Sequence, residues 1–192
     1  VVLHRLPGGV DGGELRAHRL SGGLEWIDDD FDHLAEKAEV TLPDERDFHY
    51  LFAQYDYVQN GFIKVNYVNR DLRFEDINLG RQLSLRLGVS PEGLGANATT
   101  GLARLGLSQG HAFSDATFLL ANTRFDTRIG SDTNRNAIAE ATVHFVRRFA
   151  TAHPQTFVSR LHADRGWDLD RDVQFFADGD TGLRAYRLHA FA

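Results

Sequence analysis

The stretch GLSQG, residues 106–110, matches G-x-S-x-G, a pattern that can raise Ser108 as a nucleophile on a sharp strand-to-helix turn. Such chemistry needs a helix after the serine and a histidine base within reach. The residues that follow, HAFSDATFLLANTRF, read instead as a turn and another strand, so a glycine hairpin turn is the simpler reading of 106–110. An acyl hydrolase built on Ser108 or Ser114 with His144 or His162 is the weaker alternative, because no spacing among them favours it. DLDRD, residues 168–172, opens like a calcium-binding EF-hand loop. Its sixth position is Val173 where that loop needs glycine and its twelfth is Gly179 where it needs glutamate, which leaves a solvated loop. The 9 histidines form neither H-E-x-x-H nor a close ligand pair. No catalytic residue, metal ligand or cofactor is therefore assigned.

The elements that would position any such residues are strands. In INLGRQLSLRLGV, residues 77–89, the odd positions are apolar except Arg81, whereas the even positions Asn78, Gly80, Gln82, Ser84, Arg86 and Gly88 are not. Successive strand side chains point to opposite faces, so this stretch reads as one long strand with an apolar and a polar face. Residues 117–129, 137–149 and 157–169 alternate in the same way. Their polar sides carry Asn122, Arg124, Asp126 and Arg128, then Glu140, Thr142, His144 and Arg148, then Arg160, His162, Asp164 and Asp168. Weaker alternation covers 18–27, 48–58, 62–70, 99–108 and 173–177. Turn signals at QNG (59–61), SPEGLGAN (90–97), GSDTNRN (130–136) and AHP (152–154) separate these runs. The expected fold is all-β: an antiparallel meander of about eight or nine long amphipathic strands. Residues 28–47 interrupt it as a long acidic loop with one helical turn over HLAEKAE.

Composition agrees. A chain of 192 residues fits a single region, 1–192, without a second domain. Its 18 glycines, 14 phenylalanines and 4 prolines suit strands and turns more than packed helices. The absence of cysteine excludes disulfides and thiol chemistry, and a net charge of −6 leaves no basic footprint for nucleic acid. No apolar run reaches the roughly 18 residues of a membrane helix, which leaves strands as the means of crossing a bilayer. Alternation sustained over about a dozen residues exceeds the usual 5 or 6 of a soluble strand and meets the roughly 9 to 11 of a membrane strand. With arginine, histidine and aspartate on the polar face, the pattern favours part of a transmembrane β-barrel with a polar lumen. A soluble antiparallel barrel or sandwich binding an apolar ligand is the alternative.

The last residues carry a further signal. QFFADGDTGLRAY, residues 174–186, resembles the signature of the bacterial surface antigen superfamily of outer-membrane barrels, which comprises BamA/TamA-like assembly factors and two-partner secretion translocators. The matching positions are Gly179, Gly182, Leu183, Arg184, Ala185 and Tyr186. Ala185 departs from the family pattern, which has glycine there. The resemblance covers roughly residues 48–192 and implies a bacterial outer-membrane protein, with lipid around it, that inserts or translocates client proteins without bond chemistry. It further implies that residues 170–192 belong to a loop folded into the lumen. There Arg184 would be held by acidic and aromatic residues, with Glu140 and Asp126 as candidates within this chain. Further strands after residue 192 and domains before the first strand are expected on the same ground.

Overall fold

The computed structural model describes residues 2–6, 10–11, 14–31, 45–66, 74–130, 134–149, 155–170, 172, 173 and 175. Eleven strands occur among them: β1 (Val2–Leu6), β2 (Val10–Asp11), β3 (Glu14–Asp29), β4 (Arg46–Gln59), β5 (Phe62–Asn66), β6 (Phe74–Asn78), β7 (Gln82–Ser90), β8 (Thr100–Ser114), β9 (Thr117–Ile129), β10 (Asn134–Phe149) and β11 (Gln155–Trp167). The all-β antiparallel meander is thus observed. One sheet runs β1-β3-β4-β7-β8-β9-β10-β11, with β2 paired to β3, and β5 and β6 form a separate two-stranded sheet.

The large sheet curls. Glu25 on β3 reaches Arg104 on β8 at 3.7 Å, although β4 and β7 lie between those strands. The Arg128 guanidinium on β9 sits 5.0 Å from the ring centre of Phe48 on β4, again three strands away. Strands in a flat sheet are about 4.8 Å apart, so three steps would separate such residues by roughly 14 Å. Curvature makes one face concave. Register assigns to it the even-numbered residues of β4 and β7 to β11 and the odd-numbered residues of β3 from Arg19 onward. The polar sets read from the sequence for 117–129, 137–149 and 157–169 lie on this inner face, except Asp168, which follows β11.

Several boundaries differ from the sequence reading. Residues 77–89 are not one strand. Ile77 and Asn78 are the last residues of β6, Leu79 turns inward to 9% exposure, and β7 begins at Gln82. Asn78 makes the break: its Oδ1 accepts from the N–H groups of Gly61 and Gly80, both at 2.9 Å, and its Nδ2 donates to the Gln59 carbonyl at 3.0 Å. The β5–β6 hairpin consequently leaves the meander between β4 and β7 and lies against the inner face. There Val65 and Leu79 pack with Phe118 on β9 and Val146 on β10, flanked by Ile63, Ile77 and Leu120.

GLSQG is not a turn either. It lies in the middle of β8, and the tight connection falls at Asp115 and Ala116, between β8 and β9. The acidic stretch 28–47 is shorter than expected as a loop, because β3 continues through Asp29 and β4 starts at Arg46. Residues 32–44, with the expected helical turn, lie outside the described residues. Val173 and Phe175 are not in a strand, so the weak strand at 173–177 is not observed over its described positions.

Candidate functional site

The inner face carries a continuous chain of ion pairs across four strands, β3, β7, β8 and β9. Glu25 on β3 accepts from Arg86 on β7 at 3.0 Å and pairs with Arg104 on β8. The Arg104 Nε donates to one oxygen of Asp126 on β9 at 2.7 Å, and the Arg124 Nε donates to the other at 2.7 Å. Arg86 also stacks on Phe52 of β4, its guanidinium carbon 3.7 Å from the ring centre. Further along β4, Asp56 is 9% exposed and receives Arg19, Gln54 and Ser84 at 3.0, 2.9 and 2.8 Å. Confined charges are costly unless paired, and each of these guanidinium and carboxylate groups faces one of opposite sign.

At one end of this face the chain crosses back over it. After β11 the backbone folds over the mouth of the curl, fixed by Asn136, whose N–H donates to the Asp168 carbonyl at 2.8 Å. Asp172 then takes both terminal nitrogens of Arg46 on β4, at 3.1 and 2.7 Å. Asp170 takes Arg46 at 2.6 Å and also pairs with Arg128 on β9. The hydrogen bond from Arg46 holds the Asp172 carboxyl below the ordinary carboxylate range. DLDRD is a loop over its described residues, with Asp168 and Asp172 exposed, and Asp170 and Asp172 add what the sequence did not show: a clasp joining β4, β9 and the segment after β11. Between clasp and network lies a cavity of about 270 Å³ lined by Tyr50, Leu102, Arg104, Asp126, Arg128 and Glu140, among others.

The outer face is the reverse. Leu24, Leu51, Leu87 and Leu161 are 52%, 54%, 53% and 70% exposed, and Leu85, Val89, Leu107, Phe125 and Ile129 join them. Among the described residues, large apolar side chains are far more often exposed than buried. Contiguous apolar surface of this extent marks a face built to meet something other than water.

Ser108 lies on the inner face, level with Asn122, Thr142 and His162 on the next three strands. Two strands thus separate it from His162, and no strand-to-helix elbow surrounds it. Ser114 sits at the end of β8, and His144 pairs with Arg160 in register. His162 is instead engaged by Thr142 at 2.7 Å and Asp164 at 2.8 Å. Of the two acids proposed for Arg184, Asp126 is already shared by two guanidinium groups and Glu140 lines the cavity. Gly179, Gly182, Leu183, Arg184, Ala185 and Tyr186 lie outside the described residues. The sequence reading did not single out Arg46, Glu25 or Arg86 for the network. Their shared inward parity on β3, β4 and β7 was the available signal, but only strand register pairs them.

No protein-family model matches the chain, nor does any curated protein or solved structure.

Proposed function

We propose that this chain forms part of a transmembrane β-barrel of the bacterial outer membrane, acting in the insertion or translocation of proteins. The observation that carries the membrane reading is the inversion of the sheet. Its concave face holds a network of arginines and carboxylates, and its convex face exposes leucine, valine and phenylalanine along the same strands. In water that arrangement leaves the hydrophobic effect unused; in lipid it places apolar side chains against acyl chains and polar ones in the lumen. Strands of 13 to 16 residues in β3, β4 and β8 to β11 exceed the roughly 9 to 11 needed to cross a bilayer at a tilt.

The resemblance of GLRAY to the surface antigen signature supports the transport role. On that reading Arg184 would be the anchor of a loop docked in the lumen. The soluble reading, a sandwich around an apolar ligand, would require the apolar face to be the concave one.

Spin labels at Leu87 and Ser84 test the membrane reading in protein reconstituted into lipid vesicles. The label at Leu87 should be relaxed by lipid-soluble oxygen and the label at Ser84 by a water-soluble nickel chelate. Equal response of the two labels to both reagents would sink the membrane reading.

A further inference from the structure

We infer that the β5–β6 hairpin is a displaceable plug that blocks one end of the lumen. The inference rests on the barrel reading and adds a gate to it. Three observations carry it. First, the hairpin is inside: Val65, 2% exposed, and Leu79 pack against Phe118 and Val146, which belong to the inner parity of β9 and β10. Those two side chains and Leu120 are apolar where the same face elsewhere carries arginine, aspartate and asparagine. The wall is therefore apolar where the hairpin sits.

Second, the hairpin is docked and not woven in. Among the described residues it pairs with no strand of the large sheet, and a backbone bond from the Gly110 N–H to the Leu79 carbonyl, 2.8 Å, fixes its root. A two-stranded hairpin is marginally stable at best in isolation, so its order depends on this small apolar cluster. Removing the cluster releases the hairpin without breaking a strand ladder of the wall.

Third, its position is complementary to the clasp. The clasp covers the end where β3 finishes and β4 begins, and the hairpin leaves from the opposite end, where β4 finishes and β7 begins. Two independent elements of different chemistry lie at the two ends of one polar interior. Opening the hairpin end exposes the apolar cluster and the Glu75 carboxylate that shares the face of Val65, with no ion pair of the central network broken. Asn78, holding Gln59, Gly61 and Gly80, is the pivot about which it swings.

The chain contains no cysteine, so a Val65→Cys/Phe118→Cys pair can form a single engineered bridge across the docking contact. The full chain is studied as wild type, as Val65→Asp and as the cysteine pair, by amide hydrogen exchange and by conductance in planar lipid bilayers. In Val65→Asp, exchange at residues 62–66 and 74–78 should rise at least tenfold while β8 to β10 are unchanged, and conductance should rise several-fold. The oxidised cysteine pair should show hydrogen exchange and conductance at the wild-type level or below. Released exchange with insertion into the bilayer but wild-type conductance overturns the plug and leaves the barrel standing. Unchanged exchange in Val65→Asp shows that the cluster does not hold the hairpin and also overturns the plug. Failure of every form to insert overturns the barrel reading, and the plug with it.

Discussion

Gly110 is defined by the side chain it lacks. A methyl group there would lie 2.7 Å from the Leu79 Cα, where the chain crosses from β6 to β7, so backbone would have to move. Gly106, four residues earlier on the same strand and facing the same way, has only the Ser84 side chain and carbonyl near 4 Å. Gly110→Ala should therefore lower stability by about 1 to 3 kcal/mol, as overpacking does, while Gly106→Ala changes it little. Unfolding midpoints of the two variants check this; equal shifts would mean that Leu79 has room to adjust. Both glycines were conspicuous in the sequence because they frame Ser108, but the motif pointed to a turn. In a strand, an isolated glycine often marks a site where another backbone comes close. That reading needed the Leu79 crossing, which is remote in sequence and leaves no local trace. Phe118 and Leu120 on β9 and Val146 on β10 were the legible hint, since each puts an apolar side chain at a position where the alternation calls for a polar one.

Among the elements, the long strands were legible and their interruptions were not. Residues 117–129 coincide with β9, and 137–149 and 157–169 match β10 and β11 closely, because alternation over a dozen residues has no helical counterpart. The run at 77–89 kept its period straight through a break, since Asn78 and Gly80 fit the polar parity of a strand as well as the turn they make. The clasp was illegible for a different reason: Asp170 and Asp172 meet Arg46 across more than a hundred residues, and the segment binds through charge without periodicity. Its pH dependence follows from the sign of the Asp172 shift. The folded carboxyl titrates below its unfolded value of about 3.9, so its stabilisation is fully present above that value. It is lost as pH falls through the lowered native pKa. Hydrogen exchange or protease cleavage at Asp168–Val173 should hence be flat from neutrality down to about pH 5 and rise steeply in the acid range below the ordinary carboxylate pKa. Asp172→Asn should raise the neutral-pH rate, with about 1 kcal/mol lost from a partly exposed pair, and blunt the acid response. An unaltered acid profile in that variant would assign the response to other carboxylates.

For the molecule as a whole, the sequence showed that the strands have two unlike faces, but not which face is enclosed. Alternation is symmetric between a soluble sandwich and its inside-out counterpart, and only contacts such as Glu25–Arg104 and Arg128–Phe48 settle the direction of curvature. The chain's two tryptophans allow that inversion to be read in one sample. Trp26 lies near the end of β3 and Trp167 at the end of β11, both at the clasp end and 66% and 40% exposed. Membrane barrels place aromatic girdles where headgroups meet acyl chains, since an indole is apolar in body and polar at its N–H. All tryptophan emission should then come from one interfacial level. In vesicles of lipids brominated at defined acyl positions, bromines near the headgroup should quench that emission strongly and bromines near the bilayer centre weakly. Trp26→Phe and Trp167→Phe should each remove part of the signal and leave the depth profile of the remainder unchanged. Quenching greatest at the bilayer centre would place the apolar band elsewhere along the strands. No quenching at any depth would mean that the convex face does not meet lipid, and the exposed leucines would then need a protein partner to cover them.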